Sequence, residues 1–134
     1  MTRSQRLTGG ILGALFLALH LPFLPPSLED LDSINFALGI RQYDVSQHQP
    51  HPPGYPLFIL GAKLLHALGL SEVHALSLLG IVSGGLCVLA LTRLFAELDR
   101  DQPESPFTWL AVLVVAACPL FWFTAARPLS DMTG

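Results

Sequence analysis

The stretch VHALSLLGIVSGGLCVLALTRLF, residues 73–95, decides the fold class. It runs for 23 residues and carries one charge, Arg93, near its end. The hydrocarbon core of a bilayer is about 30 Å thick, so a spanning helix needs about 20 mostly apolar residues. Two further runs qualify, 7–24 and 107–126, and neither contains Asp, Glu, Lys or Arg. A fourth run, 55–70, is shorter and carries Lys63 and His66 near its middle. That length and that lysine fit a helix lying at the membrane interface better than a span.

Composition agrees. Of the 134 residues 51% are hydrophobic and 13% charged, with a mean hydropathy of +0.54. A soluble domain carries about 25% charged residues, so this chain has too little charge to coat a soluble surface. The apolar residues come in blocks, without alternation or an amphipathic rhythm. A soluble enzyme, a disordered tail and a nucleic-acid binder are thereby excluded; the last is also opposed by a net charge of -3. Cys87 and Cys118 both sit inside apolar blocks, which is not a disulfide framework. The expectation is an all-α integral membrane protein with three transmembrane helices and one or two interfacial helices in the first outer loop.

Arg3 and Arg6 precede the first span and Arg93 and Arg100 border the loop between the second and third. The positive-inside rule then puts the N-terminus in the cytoplasm of a multi-pass protein of the cell (inner) membrane. The bias is small, four basic residues inside against Arg41, Lys63 and Arg127 outside. No small-x-small cleavage site follows the first run, so it reads as an uncleaved span. Gly9-x-x-x-Gly13 and Gly80-x-x-x-Gly84 have the spacing that lets membrane helices approach closely, although glycine is also simply frequent in such helices.

Chemistry is expected in the outer loop, 25–72, whose 48 residues exceed an ordinary connection. Glu29-Asp30-Leu31-Asp32 offers a general base or metal ligand at the interface. Equally, it offers a helix start, with Asp32 capping a helix over 33–41. In His48-Gln-Pro-His51-Pro-Pro-Gly-Tyr-Pro56 the prolines forbid continuous helix and predict a stiff, extended backbone with a turn at Gly54. His48, His51 and Asp44 have ligand chemistry, but an extended backbone points residues three apart in divergent directions. His51 or Tyr55 hydrogen-bonding a phosphate or sugar is the better reading, beside a loop that merely redirects the chain. After the third span, Pro128 ends the helix, so Arg127 sits at a C-terminus that favours a cation. With three spans Asp131 emerges on the same face as Asp32.

Asp32-Ser33, Leu38-Gly39 and His51-Pro-Pro-Gly-Tyr-Pro-Leu57 together resemble the first outer loop of C-type (GT-C) membrane glycosyltransferases, among them protein O-mannosyltransferases and lipid A aminoarabinose transferases. The resemblance runs from Leu7 to Gly134. It implies transfer of a sugar from a polyprenyl-phosphate carrier, held in membrane lipid, to an acceptor hydroxyl at the outer face, with inversion. It makes Asp32 the catalytic base and Asp131 the second acid, with Asp30, His51, Tyr55 and Arg127 binding substrate. Phe36, Ala37 and Arg41 match the pattern after the acid. His51 stands where several relatives have a lysine. The acids leave room for a divalent metal, Mg or Mn. Nucleic acid is not a partner. Family members have at least seven spans, so residues 1–134 are expected to be the N-terminal part of a longer protein, inactive alone. The rival readings are a transporter or flippase fragment, which would place charges within its spans, and a non-catalytic membrane subunit.

Overall fold

The computed structural model describes residues 2–102 and 106–133. The ends of the expected domain, Met1 and Gly134, lie outside the described residues. These consist of helices and turns, with one isolated β-bridge between Asp44 and Gln49.

Each helix starts and stops where local chemistry dictates. Helix α1 (Arg3–His20) begins before its apolar run because Thr2 and Gln5 form a reciprocal capping box. It passes into a 3-10 turn, Leu21–Phe23. Helix α2 (Leu31–Arg41) and helix α3 (Pro56–Ala67) follow, the latter opened by a proline at its first position. Helix α4 (Glu72–Leu98) is capped by Ser71, whose Oγ accepts from His74 N–H at 3.2 Å.

The third apolar run is not the continuous helix expected over 107–126. It is divided into α5 (Phe107–Ala116) and α6 (Pro119–Ala126), bent by 58°. Pro119 has no N–H to donate and its ring clashes with the carbonyl four residues back, so the helix ends and restarts with proline in its first turn. Two helices, α1 with its 3-10 turn and α4, are long and apolar enough to cross a membrane; the count is three if the bent pair is one span. The 12 residues of α3 make a rod of about 18 Å, well short of a bilayer core of about 30 Å.

Helix α4 is the centre, with α1, α2, α3, α5 and α6 all packed on it. Both glycine pairs lie in contacts. A Cβ added at Gly9 would stand 2.9 Å from Thr92, and one at Gly13 would stand 3.5 Å from the Gly85 carbonyl oxygen. On α4, a Cβ at Gly80 would lie 2.7 Å from the Ala125 carbonyl oxygen, and one at Gly84 would lie 2.7 Å from the Phe16 ring. The close-packing reading therefore holds. Two apolar clusters result. One joins α2, α3 and the start of α4 through Phe36, Ile40, Phe58, Ile59 and Leu76, closed by Leu129. The other joins α1, α4, α5 and α6 through Phe16, Val88, Val112 and Ala125.

On α3, Leu57, Leu60, Leu64 and Leu68 at and beyond the helix are 83%, 54%, 61% and 78% exposed. Their spacing forms one stripe, opposite the buried Phe58, Ile59 and Ala62. A short helix with one packed face and one bare leucine face is suited to lie on a membrane.

Gly80→Ala is expected to destabilise the bundle by about 1–3 kcal/mol, because its Cβ meets backbone that cannot swing aside. Gly10 has open space around a new Cβ, so Gly10→Ala should stabilise by about 0.5–1 kcal/mol. Unfolding midpoints of both variants in detergent micelles measure the contrast.

Candidate functional site

The site begins at the N-terminus of α2. Asp30, not Asp32, is the cap: its Oδ1 accepts from Ser33 N–H at 2.7 Å, and Asp30 N–H donates back to Ser33 Oγ at 3.3 Å. The expected cap at Asp32 is thus corrected by two residues, and the helix starts at Leu31. Asp32 falls in the first turn, its side chain 61% exposed. The other Asp30 oxygen accepts from Arg127 Nη2 at 2.9 Å, tying the end of α6 to the start of α2. Partial burial on its own would raise the Asp30 carboxyl. The Ser33 hydrogen bonds and the Arg127 guanidinium outweigh it and hold the group below the usual carboxylate range.

Between α2 and α3 the proline-rich stretch is folded, not extended. Asp44 caps a 3-10 turn, Val45–Gln47, accepting from Ser46 N–H at 3.0 Å, Ser46 Oγ at 2.6 Å and Gln47 Nε2 at 3.0 Å. Its carboxylate is thereby committed to the turn. His48 follows in the left-handed region, φ 59°, and is exposed. Gly54 also has positive φ, +92°, and a Cβ there would stand 2.6 Å from Tyr43 Oη, so backbone and space both demand glycine. Tyr55 takes φ 43° without being glycine. A left-handed residue with a Cβ costs about 1–2 kcal/mol and persists where its surroundings hold it. Here the Tyr55 ring packs on Phe36 at 5.2 Å and on His51 at 5.4 Å between centroids.

That aromatic nest sets His51. Its ring lies 5.3 Å from Phe36, which is almost fully buried. Its Nδ1 is buried, makes no hydrogen bond, and faces Asp32 Oδ1 at 3.6 Å. The separation is just beyond hydrogen-bond range, and pairs that work in proton transfer are often long before substrate arrives. Asp32 therefore presents an exposed carboxylate uncommitted to capping, beside an imidazole nitrogen with no hydrogen-bond partner among the described residues.

Of the residues expected in the site, Asp30, Asp32, His51, Tyr55 and Arg127 are brought together by α2, the turn before α3 and the end of α6. Asp131 is not in this group. It lines a separate cavity of about 400 Å³ at the α5–α6 break, with Cys118, Phe121, Thr124 and Met132 among its walls. The chain after α6 folds back along α4, with Leu129 in the first core cluster and Met132 against the second. This return path, invisible in the spacing of the acids, sets Asp131 at the α5–α6 cavity. Among the described residues no group of three or more His, Cys, Asp or Glu side chains is placed to hold a metal ion.

One residue was not singled out from the sequence. His20 is 2% exposed, stacked between Phe16 at 4.0 Å and Trp122 at 4.2 Å. Its Nδ1 stands 2.8 Å from the Phe16 carbonyl and its Nε2 3.1 Å from the Trp122 carbonyl. It thereby clamps α6 to α1. The available signal was a histidine inside an otherwise apolar span. Comparison with protein-family models, curated proteins and solved structures gave no match.

Because folding lowers the Asp30 carboxyl below its unfolded value, its contribution is complete above the ordinary carboxylate pKa of about 3.9 and is lost as pH falls through the lower folded value. The unfolding midpoint should therefore drop below about pH 4 more steeply in the wild type than in Asp30→Asn. At neutral pH Asp30→Ala should cost about 1 kcal/mol of cap, whereas asparagine keeps it.

Proposed function

We propose that this chain contributes the acid–base face of a membrane glycosyltransferase that takes its sugar from a polyprenyl-phosphate carrier. The observation that carries the reading is the Asp32–His51 pair: an exposed carboxylate free of capping duty, 3.6 Å from an imidazole nitrogen that makes no hydrogen bond among the described residues, beside the Arg127–Asp30 ion pair.

The residue types suit the chemistry. An acceptor hydroxyl gives its proton to Asp32 as its oxygen attacks the anomeric carbon. The carbon–oxygen bond to the carrier phosphate breaks, the phosphate leaves with the electron pair, and the sugar carbon inverts. Arg127 and His51 face the charge that develops on the departing phosphate. Tyr55 and Asp30 bind and orient. The leucine stripe of α3 keeps these groups at the depth where a lipid-anchored sugar meets water. A divalent ion, Mg or Mn, would add to the neutralisation of the phosphate. The same reading sets the protein in the cell membrane with its N-terminus in the cytoplasm.

A transporter is the second reading, favoured by one feature: the broken α5–α6 pair borders a cavity that holds Asp131. Interrupted helices around a cavity are a recurring way to build a transport site.

In the product of the complete reading frame, Asp32→Asn should lower turnover by roughly 10²-fold or more while expression and carrier binding are kept. Glu29→Gln and Asp30→Asn should cost much less. Full turnover in Asp32→Asn with loss in Asp30→Asn would move the base to Asp30. Silence of all three, with proteoliposome flux abolished by Asp131→Asn, would select the transporter. For orientation, a cysteine at Glu29 should react with an impermeant reagent from outside and one at Gln102 should not, in a background lacking Cys87 and Cys118.

A further inference from the structure

His20 lies in the last turn of α1 and is 2% exposed. The rings of Phe16 and Trp122 pack against it at 4.0 and 4.2 Å between centroids. Both of its nitrogens meet acceptors: Nδ1 is 2.8 Å from the Phe16 carbonyl oxygen and Nε2 is 3.1 Å from the Trp122 carbonyl oxygen. A backbone carbonyl only accepts. A neutral imidazole carries one N–H and one bare lone pair, whichever tautomer it takes. In the neutral ring, one of the two contacts therefore sets lone pair against lone pair in a nearly sealed place. The imidazolium carries two N–H groups and satisfies both carbonyls at once. A cation also suits the aromatic neighbours, which lie within the roughly 6 Å over which a ring face attracts positive charge.

Among the described residues His20 is the one titratable group at this contact. Between Arg6 and His20, α1 has no other, and α5 and α6 have none. Gly9 meets Thr92 and Phe16 meets Gly84, so α1 and α4 run antiparallel. One turn past Phe16, His20 comes level with residues 77–81 of α4, which are Ser, Leu, Leu, Gly and Ile. The charged groups that follow α6 are directed elsewhere. Arg127 donates to Asp30 Oδ2 at 2.9 Å. Asp131 and Cys118 line the cavity at the α5–α6 break, whose walls do not include His20. A different cavity, of about 510 Å³ between α1 and α6, borders the His20 ring and gives a proton a way in. The charged ring pays a desolvation cost for its burial, and the neutral ring leaves one carbonyl unmatched. Proton concentration therefore decides between two states of the same contact.

We infer that His20 is a proton-operated latch between α1 and α6. With a proton on each ring nitrogen it donates to both carbonyls and seats α6. When one proton passes to water, its electron pair stays on the ring, which keeps a single N–H. That N–H stays with Phe16, four residues back on the same helix and at the shorter distance. The Trp122 carbonyl, on the other helix, is then faced by a lone pair and is released. Arg127 follows directly on α6, so its bond to Asp30 loosens with the latch. The latch couples pH to the seating of α6 and through it to the tie on α2. It belongs to the bundle itself and rests on neither the transferase nor the transporter reading.

Two measurements on the product of the complete reading frame in detergent test the latch. Both run from about pH 5 to about pH 8, where histidine side chains change charge and above the range in which Asp30 titrates. The first is NMR of isotope-labelled histidine nitrogens, with the His20 signals assigned by their loss in His20→Gln. Both nitrogens should be protonated at the acid end and one at the alkaline end. The second is pulsed EPR between nitroxides on cysteines replacing Leu7 and Leu120, which are 66% and 78% exposed, in an otherwise cysteine-free background. One narrow α1–α6 distance at the acid end should give way to a longer one. The closed-to-open ratio should fall by up to about 10-fold per pH unit, the limit for release of a single proton. His20→Gln should abolish this response, because an amide does not titrate. His51→Gln should leave it in place, which separates the latch from the Asp32–His51 pair. A His20 ring that keeps one protonation state throughout overturns the inference. So does a wild-type distance that does not move, a result that needs no His20 variant to fold. A response that persists in His20→Gln, or disappears in His51→Gln, overturns it as well.

Discussion

The whole arrangement depends on one seam of α4 that carries almost no side chain. At Gly80 the backbone of α6 comes so close that a methyl group would sit 2.7 Å from a carbonyl oxygen, and at Gly84 the Phe16 ring fills the place a side chain would take. Gly9 and Gly13 do the same from α1. Close backbone approach and dispersion contacts hold this seam together. Larger residues along this seam would force α1 and α6 outward.

The position of α6 matters because its C-terminal end carries Arg127. The ion pair with Asp30 forms only when α6 is seated on α4 and α2 is docked through Phe36 and Ile40. The same carboxylate that receives Arg127 also caps α2, so helix initiation and the bridge to α6 share one residue. That sharing leaves Asp32 uncommitted. At the other end of α2, Arg41 Nε donates to Glu72 Oε1 at 2.8 Å and ties the helix to the start of α4. As a partly exposed pair it adds little to stability; its use is to fix where α2 ends.

The turn between α2 and α3 shows how positions are set at the expense of backbone comfort. A side chain at Gly54 would collide with Tyr43 and Val45, and Tyr55 is held left-handed by Phe36 and His51. Stored strain of this kind collects where a side chain must be aimed, and the side chain aimed here is His51.

Residue order was enough for the all-helical class, with two or three helices long and apolar enough to cross a membrane, and for most helix positions. Runs of about 20 apolar residues have few alternatives, and Thr2, Ser71, Pro56 and Pro119 mark helix starts through their own hydrogen bonds or lack of them. The interruption at Pro119 was legible too, yet run length masked it. The cap was ambiguous because Asp30 and Asp32 have the same chemistry, although Ser33 three residues after Asp30 completes the capping box only with Asp30. His51 beside Asp32 follows from a folded turn that proline content alone reads as extended. What no local pattern contains is the return of residues 128–133 along α4, which brings Asp131 to the cavity at the α5–α6 break, and the clamp of His20 on Trp122. Both depend on contacts between segments about a hundred residues apart, or between a loop and a helix face, and such contacts are fixed by packing on the α4 seam and not by the sequence on either side.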